Sequence, residues 1–267
     1  MKLVKFLILL LFFSMSFQKM AEAKPLRLLL TSFDPFGAKK LNNTQAIVSE
    51  LNKISDQLGE EVIVKICNLP VVYDMGAKSA LDCVAEFHPD VVISFGEGSC
   101  EAYIETAATN WDSSLNYPDN SGQIRNGSAI IPGGPQRSGF PFPVDSMYPH
   151  FDHSLRMMVS SDPGAYVCNN TAYLLSEQLK KKQIFFTFIH VPNAYCSPLR
   201  SDPKKNAQAL AKMISAAIKE IRDQPKIKEM PATKIEAQAY LQDLQKQQAS
   251  SSKISFAERL LSSYVNK

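Results

Sequence analysis

Along the chain, short continuous apolar runs alternate with helically spaced apolar stripes. Residues 26–31 form an apolar run of strand length, broken by the Pro and Gly punctuation of Ser32-Phe33-Asp34-Pro35-Phe36-Gly37. Ala46, Ile47, Leu51 and Ile54 then fall on one helical face, with Thr44 or Asn43 as the expected cap. Residues 62–69 predict a second strand closed by Pro70, and Met75, Ala80, Leu81, Val84 and Phe87 a second helix stopped at His88-Pro89. Residues 90–96 form a nearly continuous apolar run, the pattern of a strand buried on both faces of a parallel sheet. The alternation predicts an α/β fold.

Residues 97–143 break that rhythm. They are rich in Gly, Asn, Ser and Pro, apart from an extended stretch at 102–111 and a short run at 128–131. A long irregular insertion of this kind in a compact domain reads as binding loops. Helical spacing resumes over 144–159 and 168–179, residues 184–191 predict the last strong strand, and Leu210, Met213, Ile214, Ala217 and Ile218 share one helical face. From Gln224 onward the composition turns to Gln, Lys and Ser, with one or two amphipathic helices expected in an appendage outside the catalytic core. Its apolar face, Ala237, Tyr240, Leu241 and Leu244, reads equally as a surface that docks on the domain or on a partner and as one side of a loosely attached, solvated helix.

The first 23 residues read as a secretory leader. Lys2 and Lys5 precede an apolar run, polar residues interrupt that run short of a spanning length, and Ala21-Glu22-Ala23 fits the cleavage pattern. The expected organisation is therefore a leader at 1–23, an α/β domain at 24–223 and a helical extension at 224–267, in a protein exported to a periplasmic or extracellular space. The net charge of +3 calls for no nucleic-acid partner, and no Gly-rich phosphate loop or paired metal-binding Cys motif is present.

Chemistry concentrates at two places. In Gly164-Ala165-Tyr166-Val167-Cys168-Asn169-Asn170 a loop delivers a cysteine to a helix start, whose positive end favours a thiolate nucleophile. The strand at 184–191 ends on His190, suited to take and return a proton. A carboxylate should orient the imidazole, and Glu105 is one candidate among many. Taken singly, each residue reads more readily as structural: an apolar-flanked Cys and a strand His are common in cores, and Glu105 alone would be a solvated loop charge. If Cys168 stays free, Cys67, Cys83, Cys100 and Cys196 allow three pairings. Cys100 with Cys196 is favoured because each follows a predicted strand closely, while four reduced, buried thiols are the bland alternative.

Five ordered blocks carry a resemblance: Phe33-Asp34-Pro35-Phe36-Gly37, Ile104-Glu105-Thr106-Ala107-Ala108-Thr109-Asn110, Pro118-Asp119-Asn120, Gly164 through Asn169, and Phe188-Ile189-His190-Val191-Pro192. Over about residues 26–222 the chain resembles pyroglutamyl peptidase I, the C15 family of cysteine peptidases. The resemblance implies a single α/β domain with a twisted central mixed sheet flanked by helices, here with a C-terminal helical extension. It implies a Cys168, His190 and Glu105 triad that removes N-terminal pyroglutamate from peptides, without metal or organic cofactor. It also implies a lactam slot walled by Phe33 and Tyr166, with Phe36, Asn42 and Glu97 beside it. The expected partners are peptides with an N-terminal pyroglutamate, with no nucleic acid and no membrane anchor once the leader is cleaved; a homo-oligomer is compatible with the sequence.

The chain departs from the family pattern in one loop. Gly96-Glu97-Gly98-Ser99-Cys100-Glu101 stands where the family resembles Gly-Gln-Ala-Gly-Gly-Arg. Glu97 replaces a Gln near the substrate amide, and Glu101 a basic residue associated with the oxyanion region. The leader and the extension are further departures. Two alternatives share the fold: a noncatalytic protein that binds lactam-ended peptides or another ligand, and a cysteine hydrolase with a different amide substrate.

Overall fold

The apolar runs become the strands at the centre of the molecule. The computed structural model describes residues 24–264, so the leader expected at 1–23 lies outside the described residues. The strands are β1 (Leu26–Phe33), β2 (Val62–Leu69), β3 (Val91–Glu97), β4 (Tyr103–Glu105), β5 (Ala107–Thr109), β6 (Asp112–Ser113), β7 (Asn126–Ser128), β8 (Arg137–Gly139), β9 (Met158–Ser160) and β10 (Phe185–Val191). Six of them form one sheet in the order β2-β1-β3-β10-β4-β9. Neighbours run parallel except β10 and β4, so the sheet is mixed. Every residue of β3 and β10 is buried, as continuous apolar strands covered on both faces must be.

Six longer helices flank the sheet: α1 (Asn43–Lys53), α2 (Met75–Phe87), α3 (Val167–Leu179), α4 (Pro203–Asp223), α5 (Lys234–Lys246) and α6 (Ser251–Ser263). One core layer joins Leu28, Leu30 and Ile93 to Ile47 of α1 and to Leu210, Met213 and Ile214 of α4. The other joins Leu29, Val92 and Phe186 to Val84 of α2 and Leu175 of α3. Alternate residues of each strand point to opposite layers, and this accounts for the two clusters.

The extension docks on the domain. Ala237, Tyr240 and Leu244 are buried in the first core layer together with Phe256, Ala257 and Leu260. The Tyr240 hydroxyl donates to Asp145 Oδ2 at 3.2 Å. A capping box between Thr233 and Glu236 starts α5.

Three sequence expectations change. The helical pattern at 144–159 holds for one turn only, Val144–Met147, and then passes through short 3-10 turns into β9. Pro149 lacks the N–H that would bond the Asp145 carbonyl, and Arg156 takes a left-handed conformation at φ 47°. The cap of α1 is Asn42, not Thr44 or Asn43: its side chain accepts from Thr44 N at 3.1 Å and from the Thr44 hydroxyl at 2.7 Å. The run expected at 128–131 contributes only Ser128 to a strand, at the end of β7.

Candidate active site

The parallel strands β1, β2, β3 and β10 all end on one edge of the sheet, where open α/β sheets place their ligand crevices. Phe33 ends β1, Val71 follows β2, Glu97 ends β3 and His190 lies one residue before the end of β10. Together with Phe36, Asn42, Tyr166 and Cys168 they line one cleft of about 210 Å³. Cys168 and His190 therefore face the same cavity from two different elements.

Strand register explains how a carboxylate reaches His190 from 85 residues away. Phe188 and His190 lie on the same face of β10, and the antiparallel pairing sets Glu105 opposite Phe188. Glu105 is thus the diagonal neighbour of His190, within reach of a long side chain. His190 Nδ1 and Glu105 Oε1 are 2.9 Å apart, with both residues buried. Burial opposes the imidazolium, but hydrogen bonding with Cys168 and with Glu105 outweighs it and raises His190 from 6.5 to about 10. The proton on Nδ1 belongs to the bond with Glu105, which directs Nε2 toward the thiol.

Close approach under the ring requires small residues. A Cβ on Gly96 would sit 2.7 Å from the Phe188 ring and 3.0 Å from His190 Cδ2. The loop that delivers the thiol turns at Gly164, which has φ +87°. Cys168 is the second residue of α3, and no side chain caps that helix at Tyr166. Its first-turn N–H groups are the donors a helix start leaves unpaired.

Two buried asparagines hold α3 in place. Asn169 Nδ2 donates to the carbonyls of Thr109 and Trp111 at 2.9 and 2.8 Å. Asn170 Nδ2 donates to Asp74 and Asp112 at 2.9 Å each. Sequence reasoning missed both, although two consecutive amides at buried positions of a helix were a readable signal. It also missed Val71 and Pro163 as cleft residues.

The aromatic wall is assembled by the block 118–120. Tyr166 donates its hydroxyl to Pro118 O at 2.8 Å, and Asn120 donates to Pro35 O from its side chain at 2.8 Å and to Val71 O from its backbone at 2.9 Å. Tyr166 stands edge-on to Tyr73 with centroids 5.5 Å apart, and 6.5 Å from Phe36. Phe33 is buried against the same cleft, and Asn42 donates to Asp34 O at 3.0 Å. All eight sequence-selected residues but Glu105 line this cleft, and Glu105 stands behind His190.

The altered loop does not open the cleft to free charge. Glu97 is buried, while Glu101 is turned to Arg200 at 3.4 Å and Arg156 at 3.8 Å. A disulfide joins Cys100 to Cys196 and ties the loops that follow β3 and β10. A second joins Cys67 to Cys83, leaving Cys168 as the free thiol. Among the described residues no group of three or more His, Cys, Asp or Glu side chains is arranged to hold a metal ion.

Comparison with known proteins agrees with this architecture. Pyrrolidone-carboxylate peptidase 2 of Caldanaerobacter subterraneus subsp. tengcongensis is 29% identical over 203 residues, covering 73% of this chain and 96% of the relative. The crystal structure of pyroglutamyl peptidase I from Bacillus amyloliquefaciens matches with a TM-score of 0.62 at 24% identity, over 72% of this chain and 97% of that one. The pyrrolidone carboxyl peptidase of Pyrococcus furiosus matches with a TM-score of 0.61 at 25% identity, over 74% and 99%. With the sequence model of the pyroglutamyl peptidase family also matching residues 26–221, the chain belongs to that family and is a cysteine peptidase of the pyroglutamyl-peptidase type.

Proposed function

We propose that this protein hydrolyses the bond between an N-terminal pyroglutamyl residue and the rest of a peptide, using Cys168, His190 and Glu105. The observation that carries the reading is the Glu105-bound imidazole of His190 in one cleft with the free thiol of Cys168. Cys168 Sγ attacks the pyroglutamyl carbonyl carbon, and the N–H groups at the start of α3 receive the oxyanion. His190 gives its proton to the leaving amine as the C–N bond breaks, leaving a thioester. The same imidazole then takes a proton from water, whose oxygen displaces the thiolate and releases pyroglutamate.

The cleft suits this substrate in size and polarity. A volume of about 210 Å³ lies below the usual range for drug-sized ligands, and the walls are mainly Phe33, Phe36, Val71, Tyr166 and Val167. A lactam ring is small, flat and neutral. An ordinary N-terminus would bring an ammonium into the slot without a partner, at a desolvation cost of several kcal/mol.

We also read the protein as exported. The leader pattern at 1–23 and the two disulfides, which persist in oxidising compartments, support this. One experiment addresses both points: pyroglutamyl-7-amido-4-methylcoumarin is offered to protein purified from the extracytoplasmic fraction, with Cys168→Ala as control. Turnover by wild type, its loss in the variant and an N-terminus at Lys24 are expected. Reduced wild-type protein without turnover refutes the activity, and an intact Met1 refutes export.

A further inference from the structure

The residue that departs from the family pattern at the cleft, Glu97, is the hub of three loops. Its side chain has no exposed surface, and its two oxygens have three partners. Oε1 accepts from the backbone N–H of Asn43 and of Ala194, each at 3.0 Å, and Oε2 pairs with Lys39 Nζ at 2.8 Å. Glu97 thereby joins the end of β3 to the start of α1 and to the loop following β10. Asn193 N bonds Ser99 O at 3.1 Å, and the Cys100–Cys196 disulfide ties the same two loops further out. A glutamine here would keep the backbone bonds at Oε1 but could not pair with an ammonium.

Lys39 ties this hub to the cleft wall. Its Nζ stands 4.3 Å from the Phe36 ring centroid and 5.9 Å from that of Tyr195, and a tight turn bonds Lys39 N to Phe36 O at 3.2 Å. Phe36 lines the cleft, whereas Tyr195 is exposed. A cation over an aromatic face is attracted to it, more strongly where water is partly excluded, and Lys39 is only 28% exposed.

We propose, resting on the reading above, that Lys39 and Glu97 form a positioning pair: Glu97 fixes the Lys39 ammonium, and Lys39 holds Phe36 against the lactam slot. The pair acts on substrate binding. It touches neither the thiol nor the imidazole, so its loss falls on KM more than on kcat.

The test compares wild type with Lys39→Met, Lys39→Arg, Glu97→Gln and the double variant K39M/E97Q on the coumarin substrate. Lys39→Met and Glu97→Gln are each expected to raise KM about tenfold, with kcat within about threefold. The double variant should be no worse than the poorer single, because both remove one interaction. Lys39→Arg retains a cation and should recover most of the affinity. A KM within twofold of wild type in Lys39→Met, additive losses in the double variant, or no rescue by arginine overturns the pair. Wild type without turnover overturns the peptidase reading instead. L-pyroglutamamide binding by calorimetry in the Cys168→Ala background then decides the pair: about tenfold weakening by Lys39→Met supports it, and unchanged or absent binding overturns it.

Discussion

Glu105→Gln separates the charge of the buried carboxylate from its shape. Wild-type Glu105 accepts the His190 Nδ1 proton at 2.9 Å, and its other oxygen, Oε2, has no hydrogen-bond partner in the protein. A buried hydrogen bond to a charged group contributes about 1.5–3 kcal/mol, and each 1.4 kcal/mol is a factor of ten, so loss of charge alone should slow turnover by about 10- to 150-fold. Glutamine also has an N–H₂ that can donate to Nδ1 only when that nitrogen has lost its proton, which favours the neutral ring over the imidazolium that must protonate the leaving amine. In a serine protease the analogous change costs about 10⁴-fold, so the expected loss in kcat lies between about 10² and 10⁴, with KM little altered. The pH profile gives an independent reading. Because hydrogen bonding to Cys168 and Glu105 raises His190 to about 10, the imidazolium persists through neutral pH and the alkaline limb lies high. Glu105→Gln removes one of those raising contacts, so that limb should move toward lower pH. Steady-state kinetics of the coumarin substrate from pH 5 to 10, with thermal unfolding to verify the fold, measures both quantities. A kcat within about threefold of wild type together with an unmoved alkaline limb would refute the assigned role of Glu105.

Two further predictions concern stability. Burial raises Asp112 from 3.8 to about 6, so its favourable contribution is complete below the unfolded value and is lost as pH rises through about 6. Asp112→Asn should therefore stabilise the fold by up to about 2 kcal/mol at pH 7.5 and by almost nothing at pH 4 in urea titrations, and a loss of stability at pH 7.5 contradicts this. Phe256 of α6 is fully buried, 5.8 Å from the Tyr148 ring, so Phe256→Ala should cost about 3–5 kcal/mol in a single cooperative transition. A cost below about 1 kcal/mol would mean that the extension contributes little to the core.

The parts of this molecule that could be read from sequence were those with local causes. The strand at β10 announced itself as a continuous apolar run because it is covered on both faces, and α3 and α4 by their helical spacing. The Cys100–Cys196 bond was favoured among the possible pairings because each cysteine trails a strand, and β3 and β10 prove to be neighbours. Glu105 had no such local cause. It lies on a strand of three residues, too short for periodicity, and its place beside His190 rests on an antiparallel pairing between segments 85 positions apart. The resemblance supplied that pairing where pattern did not. The helix expected over 144–159 failed for the opposite reason: its spacing was helical, but Pro149 denied it the second turn.

Glu97 shows why the altered loop resisted sequence analysis. Taken alone, a glutamate at a strand end facing an apolar cleft is a charge to be explained away, since an unpaired buried carboxylate is costly. Its partners are two backbone N–H groups and a lysine 58 residues earlier, in segments whose proximity depends on the strand order β1-β3-β10. That order turns an apparent defect into a fully partnered carboxylate. A glutamine at this position would leave Lys39 without its carboxylate partner. Glu97 is therefore linked through Lys39 to Phe36, and the neighbouring loop is braced by a disulfide. An ion pair and a disulfide thus brace the loops at the ends of β3 and β10 around one wall of the cleft.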